Sequence, residues 1–213
     1  MDEKLNSVNL GVPTQIKNQG LIERRRRQII EAAVELFVDR GFHKTTTRQI
    51  AARAGLASGS MYEYVASKED ILYLVCNAIH EEMERSIGEV MVRAGQDRQV
   101  LEDIIREYFM VCHRMRDHIL LIYQEAKSLP AQWRERVLQN DIRIAGIFAD
   151  YIRGLMESGA LQKRDEAVIE MIAHNVTVLG HMWTFRRWFF GKRFSIEEYT
   201  SVQTEFITGI LRK

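Results

Sequence analysis

The chain is poor in the residues that interrupt helices and in those that cross-link small folds. Two prolines occur in 213 residues, where average usage of about 5% would give about ten. No Asn-Gly or Asp-Gly pair occurs anywhere, so the usual punctuation of β-hairpins is missing. Only two cysteines are present, Cys76 and Cys112. They form no CxxC pair and sit in apolar helical surroundings, which reads as two reduced, core-filling thiols. The longest unbroken apolar run extends only from Ile71 to Cys76, against the roughly 18 residues of a membrane span, and the first residues lack the apolar stretch of a signal peptide. A cytoplasmic protein with no membrane partner is therefore expected. Neither sign of charge dominates, with a formal net charge of +1. What is present is 46% apolar and 28% charged, enough for one or two globular domains with a real core and too apolar for disorder. The expected fold class is all-α.

Residues 1–21 mix Asn, Ser, Gly, Pro and Lys without a sustained period and read as a flexible tail. From Ile22 the pattern changes. Ile29, Ile30, Ala33, Val34, Phe37 and Val38 recur at helical spacing, and the run stops at Gly41, a residue suited to the left-handed C′ position. Thr45, Thr46 and Thr47 offer N-caps for a short helix that ends near Ala54 and Gly55. A second short helix follows from Leu56 to Val65. Ser67 with Asp70 three residues on resembles a capping box, with Asp in place of the preferred Glu or Gln, and opens a long helix reaching about Ala94, where Gly95-Gln96 can stop it. The boundary between an N-terminal module, residues 22–68, and a larger helical module, residues 69–213, is placed here. Further helices are expected over residues 98–115, 118–128, 130–158, 165–190 and 195–212. Pro130 is tolerated at a helix start, Gly159 can cap a C-terminus, and Ser195 with Glu198 forms a capping box.

Two short helices joined through Ala54-Gly55-Leu56, with a third packed across them, form the frame of a helix-turn-helix. Ile50, Ala51, Leu56, Met61 and Val65 are the apolar positions such a frame needs inside. Left outside are Thr46, Thr47, Arg48, Ser58, Gly59, Ser60, Tyr62, Glu63, Tyr64 and Lys68, groups able to meet phosphates and base edges. From spacing alone, an ordinary helical corner facing water fits equally. Charge favours the first reading, because from Lys17 to Lys68 lysines and arginines outnumber acids two to one, whereas residues 71–213 are balanced. Arg24, Arg25, Arg26 and Arg27 lie near a helix N-terminus, where the macrodipole opposes each cation by about 0.3–1 kcal/mol. Either a polyanion offsets that cost, or the four face water with Glu23 as partial compensation.

The stretch Gly41-Phe42-His43-Lys44-Thr45-Thr46-Thr47-Arg48-Gln49-Ile50-Ala51-Ala52-Arg53-Ala54-Gly55, followed by Gly59-Ser60-Met61-Tyr62-Glu63-Tyr64-Val65 and Ser67-Lys68-Glu69-Asp70-Ile71-Leu72, resembles the signature of the tetracycline-repressor (TetR/AcrR) family. The resemblance covers about residues 24 to 72. It implies a homodimeric regulator of transcription whose C-terminal helices bind a small molecule and whose paired reading helices enter successive major grooves of an operator. It further implies that Thr46, Tyr62 and Lys68 hold phosphates and that Ser58, Gly59, Ser60 and Tyr64 lie at or near the bases. Two positions depart from the pattern. Ala57 replaces the usual Ser or Thr that opens the reading helix, leaving Ser58 as the substitute cap. Glu63 is acidic, which suits either a cytosine amino group or an intramolecular arginine.

Fifteen of the nineteen aromatics and seven of the nine methionines follow residue 70. Most must be core, and the same adaptable side chains suit an apolar pocket between helices. Residues whose polar atoms interrupt apolar faces, together with their neighbours, are the candidate lining: Tyr108, Cys112, Tyr123, Trp133, Phe148, Tyr151, His174, Val178, His181 and Phe185. His174 and His181 are two turns apart on one helix and lack a third partner, so no metal and no cofactor are expected. His80-Glu81-Glu82-Met83-Glu84 starts like a zinc-protease motif and has Glu where the second His belongs. Trp183, Phe185, Trp188, Phe189 and Phe190 crowd five aromatics into eight positions, too many for a helix that touches only its own domain. The last two helices form the dimer bundle in the family that the chain resembles, so Trp183, Trp188, Phe189, Phe190 and Phe206 are the expected dimer contacts. Arg186 and Arg187 suit a helix C-terminus or the phosphates of an acyl-CoA effector.

No Gly-rich phosphate loop, GxSxG, HExxH or nucleophile–base pairing at motif spacing occurs, so an enzyme is not expected. The expected function is a repressor released from double-stranded DNA by a small apolar or acyl-CoA-type effector. The alternative is a helical protein-binding adaptor that does not bind an operator.

Overall fold

The computed structural model describes residues 11–14, 16–93 and 98–211. Among them are ten α-helices and one 3-10 turn, with no strand. Among the described residues no helix is long and apolar enough to cross a membrane. The first ten residues of the expected tail, the end of the long helix at Ala94, the Gly95-Gln96 stop and Arg212 lie outside the described residues. The chain divides into two compact units, one of residues 1–78 with 121–137 and one of residues 79–120 with 138–213.

In the first unit, α1 (Gln19–Arg40) begins at Asn18, whose side chain accepts the amide of Leu21. It ends at Gly41, whose φ of 82° lets its N–H turn back to Phe37 O. Its buried stripe of Ile22, Ile29, Ala32, Ala33, Leu36 and Phe37 follows the helical period. Helix α2 (Thr47–Arg53) starts from a full capping box between Thr46 and Gln49, and Gly55 at φ 69° turns the chain into α3 (Ser58–Met61). The expected substitution of Ser58 as a cap does not occur. Ala57 is the N-cap, it has no side chain to offer, and Ser58 is already the first helical residue. Helix α4 (Lys68–Arg93) opens on reciprocal bonds between Ser67 and Asp70, so aspartate serves where a longer acid is usual.

Two expectations about organisation are corrected here. Residues 11–14 and 16–18 are not a free tail: Val12 is buried in the first core and Ile16 packs against it. Nor does that core stop near residue 68, since Leu121, Leu129, Trp133 and Val137 belong to it. They come from the end of α6 (Arg116–Glu125), the 3-10 turn Ala126–Ser128 and the start of α7 (Ala131–Glu157). The Trp133 ring stacks on Tyr73 at 4.3 Å. Such contacts between residues distant in sequence leave no periodic trace in a local window.

In the second unit, α5 (Arg98–Arg114) packs against α8 (Glu166–Phe185) and α10 (Ile196–Ile210). Tyr108, Phe109 and Phe148 are fully buried there, each stabilising the unit by roughly 1.5–3 kcal/mol through lost apolar exposure. Gly180 allows α8 to approach α5, since a Cβ there would meet Tyr108 at 2.5 Å and Cys112 Sγ at 2.9 Å. Helix α10 opens on the expected Ser195–Glu198 capping box. The helix expected over residues 165–190 is broken at Arg186, giving a separate α9 (Arg187–Phe190). The break falls inside the aromatic run, where Phe190 comes to lie 5.0 Å from the Tyr199 ring.

Candidate nucleic-acid interface and helical cleft

The outward surface of α2 and α3 is small and polar. Thr46, Arg48, Ser58 and Gly59 are exposed, Thr47 and Ser60 are half-buried, and Tyr62 at 48% exposure projects beside them. Thr47 Oγ1 and the Tyr62 hydroxyl are 2.8 Å apart, so one hydrogen bond ties the start of α2 to the turn that follows α3. Two hydroxyls are thereby held side by side with lone pairs and a proton to spare. Lys44, Arg48, Arg24 and Arg27 are exposed, and among the described residues none of them is in an ion pair. Arg53 pairs with Glu35 and Arg25 donates to Gln28, which draws those two cations toward the protein. Glu63 is exposed and its carboxylate has no arginine partner among the described residues, contrary to one of the two expectations.

Three residues expected at the nucleic acid have other surroundings. Arg26 is buried, donating from Nε to Tyr64 O at 3.1 Å and from Nη2 to Val12 O at 2.7 Å. Burial lowers its pKa while Asp70 opposes that shift, and the guanidinium remains charged. Tyr64 is itself buried, in the turn after α3 where Tyr62 and Glu63 are exposed. Lys68 turns its ammonium onto three backbone carbonyls, Phe42 O at 2.9 Å, Thr45 O at 3.0 Å and His43 O at 3.5 Å, with the Phe42 ring 4.3 Å away. All three of its protons point at the chain, holding the loop before α2 against the start of α4.

The second unit has a cleft of about 390 Å³ between α4 and α7, floored by Ile87, Ile147 and Leu155 and opened by Gly88 and Gly154, where a Cβ would meet nothing. Met91, Tyr151, Glu84 and Asp150 complete it. The carboxylate of Glu84 pairs with Arg143 and that of Asp150 with Arg153, so two arginines stand by an apolar recess. Of the candidate lining, only Tyr151 is here. Two helical glycines, Gly88 with Met91 three positions on and Gly154 with Tyr151 three positions back, were the signal available for the rest.

The other lining candidates are scattered. Tyr108, Cys112, Phe148 and His181 form a closed core cluster in which the Tyr108 hydroxyl lies 3.1 Å from His181 Nε2. Burial lowers the pKa of His181 to about 4 and raises that of Cys112. His174, Val178 and Tyr123 are exposed, Phe185 is half-buried, and Trp133 belongs to the core of the other unit. The two histidines therefore do not share a pocket wall. Among the described residues no cluster suits a metal ion.

The expected dimer contacts also divide. Trp183 is buried and donates to His113 Nδ1 at 2.9 Å, so it is a core residue of its own unit. Phe190 leans on Tyr199 and Phe189 lies under Arg193. Trp188 and Phe206 are exposed. Sequence reasoning missed the companions of Phe206: Met171 and Val178 on α8 and Val202 and Ile210 on α10 leave apolar side chains in solvent.

Comparison with known proteins adds two family models. Bacterial regulatory proteins of the tetR family match residues 29–73, and the tetracyclin repressor-like C-terminal domain matches residues 94–207. A regulator described as the HTH-type transcriptional regulator HbdR of Aromatoleum sp. (strain CIB) is 29% identical over 188 residues, covering 88% of this chain and 81% of its own. A bacterial regulatory protein in the tetR family from Rhodococcus RHA1 superposes with a TM-score of 0.74 at 21% identity, over 89% of this chain and 97% of that one. AibR, solved in complex with isovaleryl coenzyme A and operator DNA, superposes with a TM-score of 0.69 at 18% identity, over 85% of this chain and 97% of its own.

Proposed function

The chain belongs to the tetR family of bacterial regulatory proteins, whose members are transcription regulators and not enzymes, and from that premise we propose that it is an operator-binding repressor released by an acyl-CoA-type effector. The observation that carries the DNA half is the Thr47–Tyr62 pair, two hydroxyls fixed on the surface of a unit in which Arg48, Lys44, Arg24 and Arg27 are exposed cations. Phosphates accept from hydroxyls and guanidinium groups of this kind, while Ser58, Gly59 and Ser60 are small enough to let backbone and side chain approach base edges. Arg26, Tyr64 and Lys68 act behind that surface.

Met171, Val178, Val202, Phe206 and Ile210 are the contact with a second copy of the chain. Pairing buries them and sets two reading surfaces about one helical turn of DNA apart, roughly 34 Å. The effector site is the cleft between α4 and α7. Its volume suits a short acyl chain, Arg143 and Arg153, now paired with Glu84 and with Asp150 and Glu166, are the cations that coenzyme phosphates would draw from those carboxylates, and the neighbour AibR was solved with isovaleryl coenzyme A. The effector acts through its different affinity for operator-competent and incompetent states. Helix α4, which begins beside the reading surface and lines the cleft, carries the shift.

Titrating labelled duplex at increasing salt, then adding isovaleryl-CoA, tests both halves. The expected result is affinity that falls steeply between about 50 and 200 mM salt and duplex released by the thioester. Duplex held unchanged at saturating thioester would exclude this effector class.

A further inference from the structure

The family resemblance leaves no role for residues 11–14, and the charge pattern groups Arg26 with its three arginine neighbours as phosphate-facing cations; the structure gives both something else to do. Gly11 to Thr14 lie as a strap on the first unit. Val12 inserts into the core, and Thr14 Oγ1 donates to the carbonyl of Glu63 at 2.8 Å. Gly11 adopts φ 72° against Arg136, where a Cβ would meet the guanidinium at 2.6 Å. The two carbonyls that receive the strap and Arg26 on the reading side, Glu63 O and Tyr64 O, are consecutive and sit just after α3.

Helix α3 needs such support. It has four residues and no side-chain N-cap, far short of the about 12–15 residues at which an isolated helix becomes even marginally stable. Its orientation is therefore set from outside. At its far end the chain is gripped by one buried guanidinium, which spans Tyr64 O and Val12 O, and by one strap hydroxyl. A planar guanidinium holds both acceptors in fixed directions, which a lysine ammonium cannot reproduce.

We propose that Arg26 and the strap Gly11–Thr14 are the positioning device of the reading helix: they set operator affinity and sequence selectivity without touching DNA. The proposal rests on the reading that α3 meets DNA. In this arrangement Arg26 is a positioning residue, whereas Arg24 and Arg27, exposed on the same helix, are the phosphate-contacting cations.

The test uses the full chain and the duplex that it selects from a random-sequence pool, with a scrambled duplex as reference. Affinity is measured across a salt series for the parent, Arg26→Gln, Arg26→Lys, Thr14→Ala and Arg27→Gln. Arg26→Gln is expected to lose about tenfold on the selected duplex and little on the scrambled one, with an unchanged salt slope, because no phosphate contact is removed. Arg26→Lys is expected to recover only part of the loss. Arg27→Gln is expected to weaken both duplexes and to flatten the slope by about one. If Arg26→Gln fails to fold by circular dichroism, Thr14→Ala, which removes one exposed hydroxyl, still reads the strap: about a threefold loss of selectivity at constant slope supports the proposal, and parent-like selectivity overturns it. A folded Arg26→Gln with parent affinity and selectivity, or one whose slope falls like that of Arg27→Gln, overturns it as well. A parent chain that selects no duplex would overturn the DNA reading itself, an outcome distinct from either.

Discussion

The indole N–H of Trp133 donates to Oδ1 of Asp70 at 3.1 Å, while Oδ2 of the same carboxylate accepts the amides of Ala66 and Ser67 at 3.0 and 2.9 Å. One buried side chain thus caps α4 and holds the start of α7, 63 positions away. Both residues lie in the core of the first unit.

Asp70→Ala is expected to lose the cap and strand a buried indole donor, destabilising the chain by about 3 kcal/mol. Trp133→Phe keeps a ring over Tyr73 and frees one carboxylate oxygen, at a cost of about 1–2 kcal/mol. Urea unfolding of both variants measures the difference, and equal losses would show that the capping bonds of Asp70 add little beyond its bond to the indole.

Gly180→Ala places a methyl 2.5 Å from Tyr108 and 2.9 Å from Cys112 Sγ. Both neighbours are fully buried and cannot swing away, so overpacking should cost about 1–3 kcal/mol. Thermal unfolding reads it directly. A parent-like midpoint would mean that α5 and α8 separate freely at this point.

Stability should fall in mild acid through His181. An unfolded histidine protonates near pH 6.5, whereas burial holds that of His181 down to about 4. Between those values the unfolded chain binds a proton that the folded chain refuses. The contribution is complete above pH 6.5 and is lost as pH drops toward 4, at about 1.4 kcal/mol per pH unit. Denaturant midpoints of the parent and His181→Gln at pH 7.5 and 5 check this, and the variant should show the smaller drop. An identical drop in both would assign the acid sensitivity elsewhere.

Phe206→Glu is expected to convert dimers to monomers in sedimentation with the helical content retained, because Phe206 is 60% exposed and shares one face of α10 with the exposed Val202 and Ile210, four positions to either side. A persistent dimer would place the contact on another face.

Much of this was legible in the residues, and the parts that were not share a cause. The helices declare themselves through spacing, glycine stops and the Ser67–Asp70 and Ser195–Glu198 caps, all of which act within four residues. The outward hydroxyls of Thr47 and Tyr62 likewise follow from local pattern. Arg26, Lys68 and Tyr64 misled because a cation or a phenol near a reading surface looks the same in sequence whether it faces solvent or a carbonyl. Their actual partners, Val12, Phe42, Thr45 and the strap, are set by tertiary packing. Trp183 failed in the same way: an aromatic-rich run signals burial without saying whether the cover is His113 of the same chain or a second copy.

The most direct measurement is the stoichiometry and salt dependence of the protein on a duplex that it has itself selected from random sequence. The account predicts two chains per duplex on a site with two-fold sequence symmetry, half-sites about one helical turn apart, and affinity that collapses with salt. Absence of any retardation at low salt, or one chain bound with no preferred sequence, would contradict it.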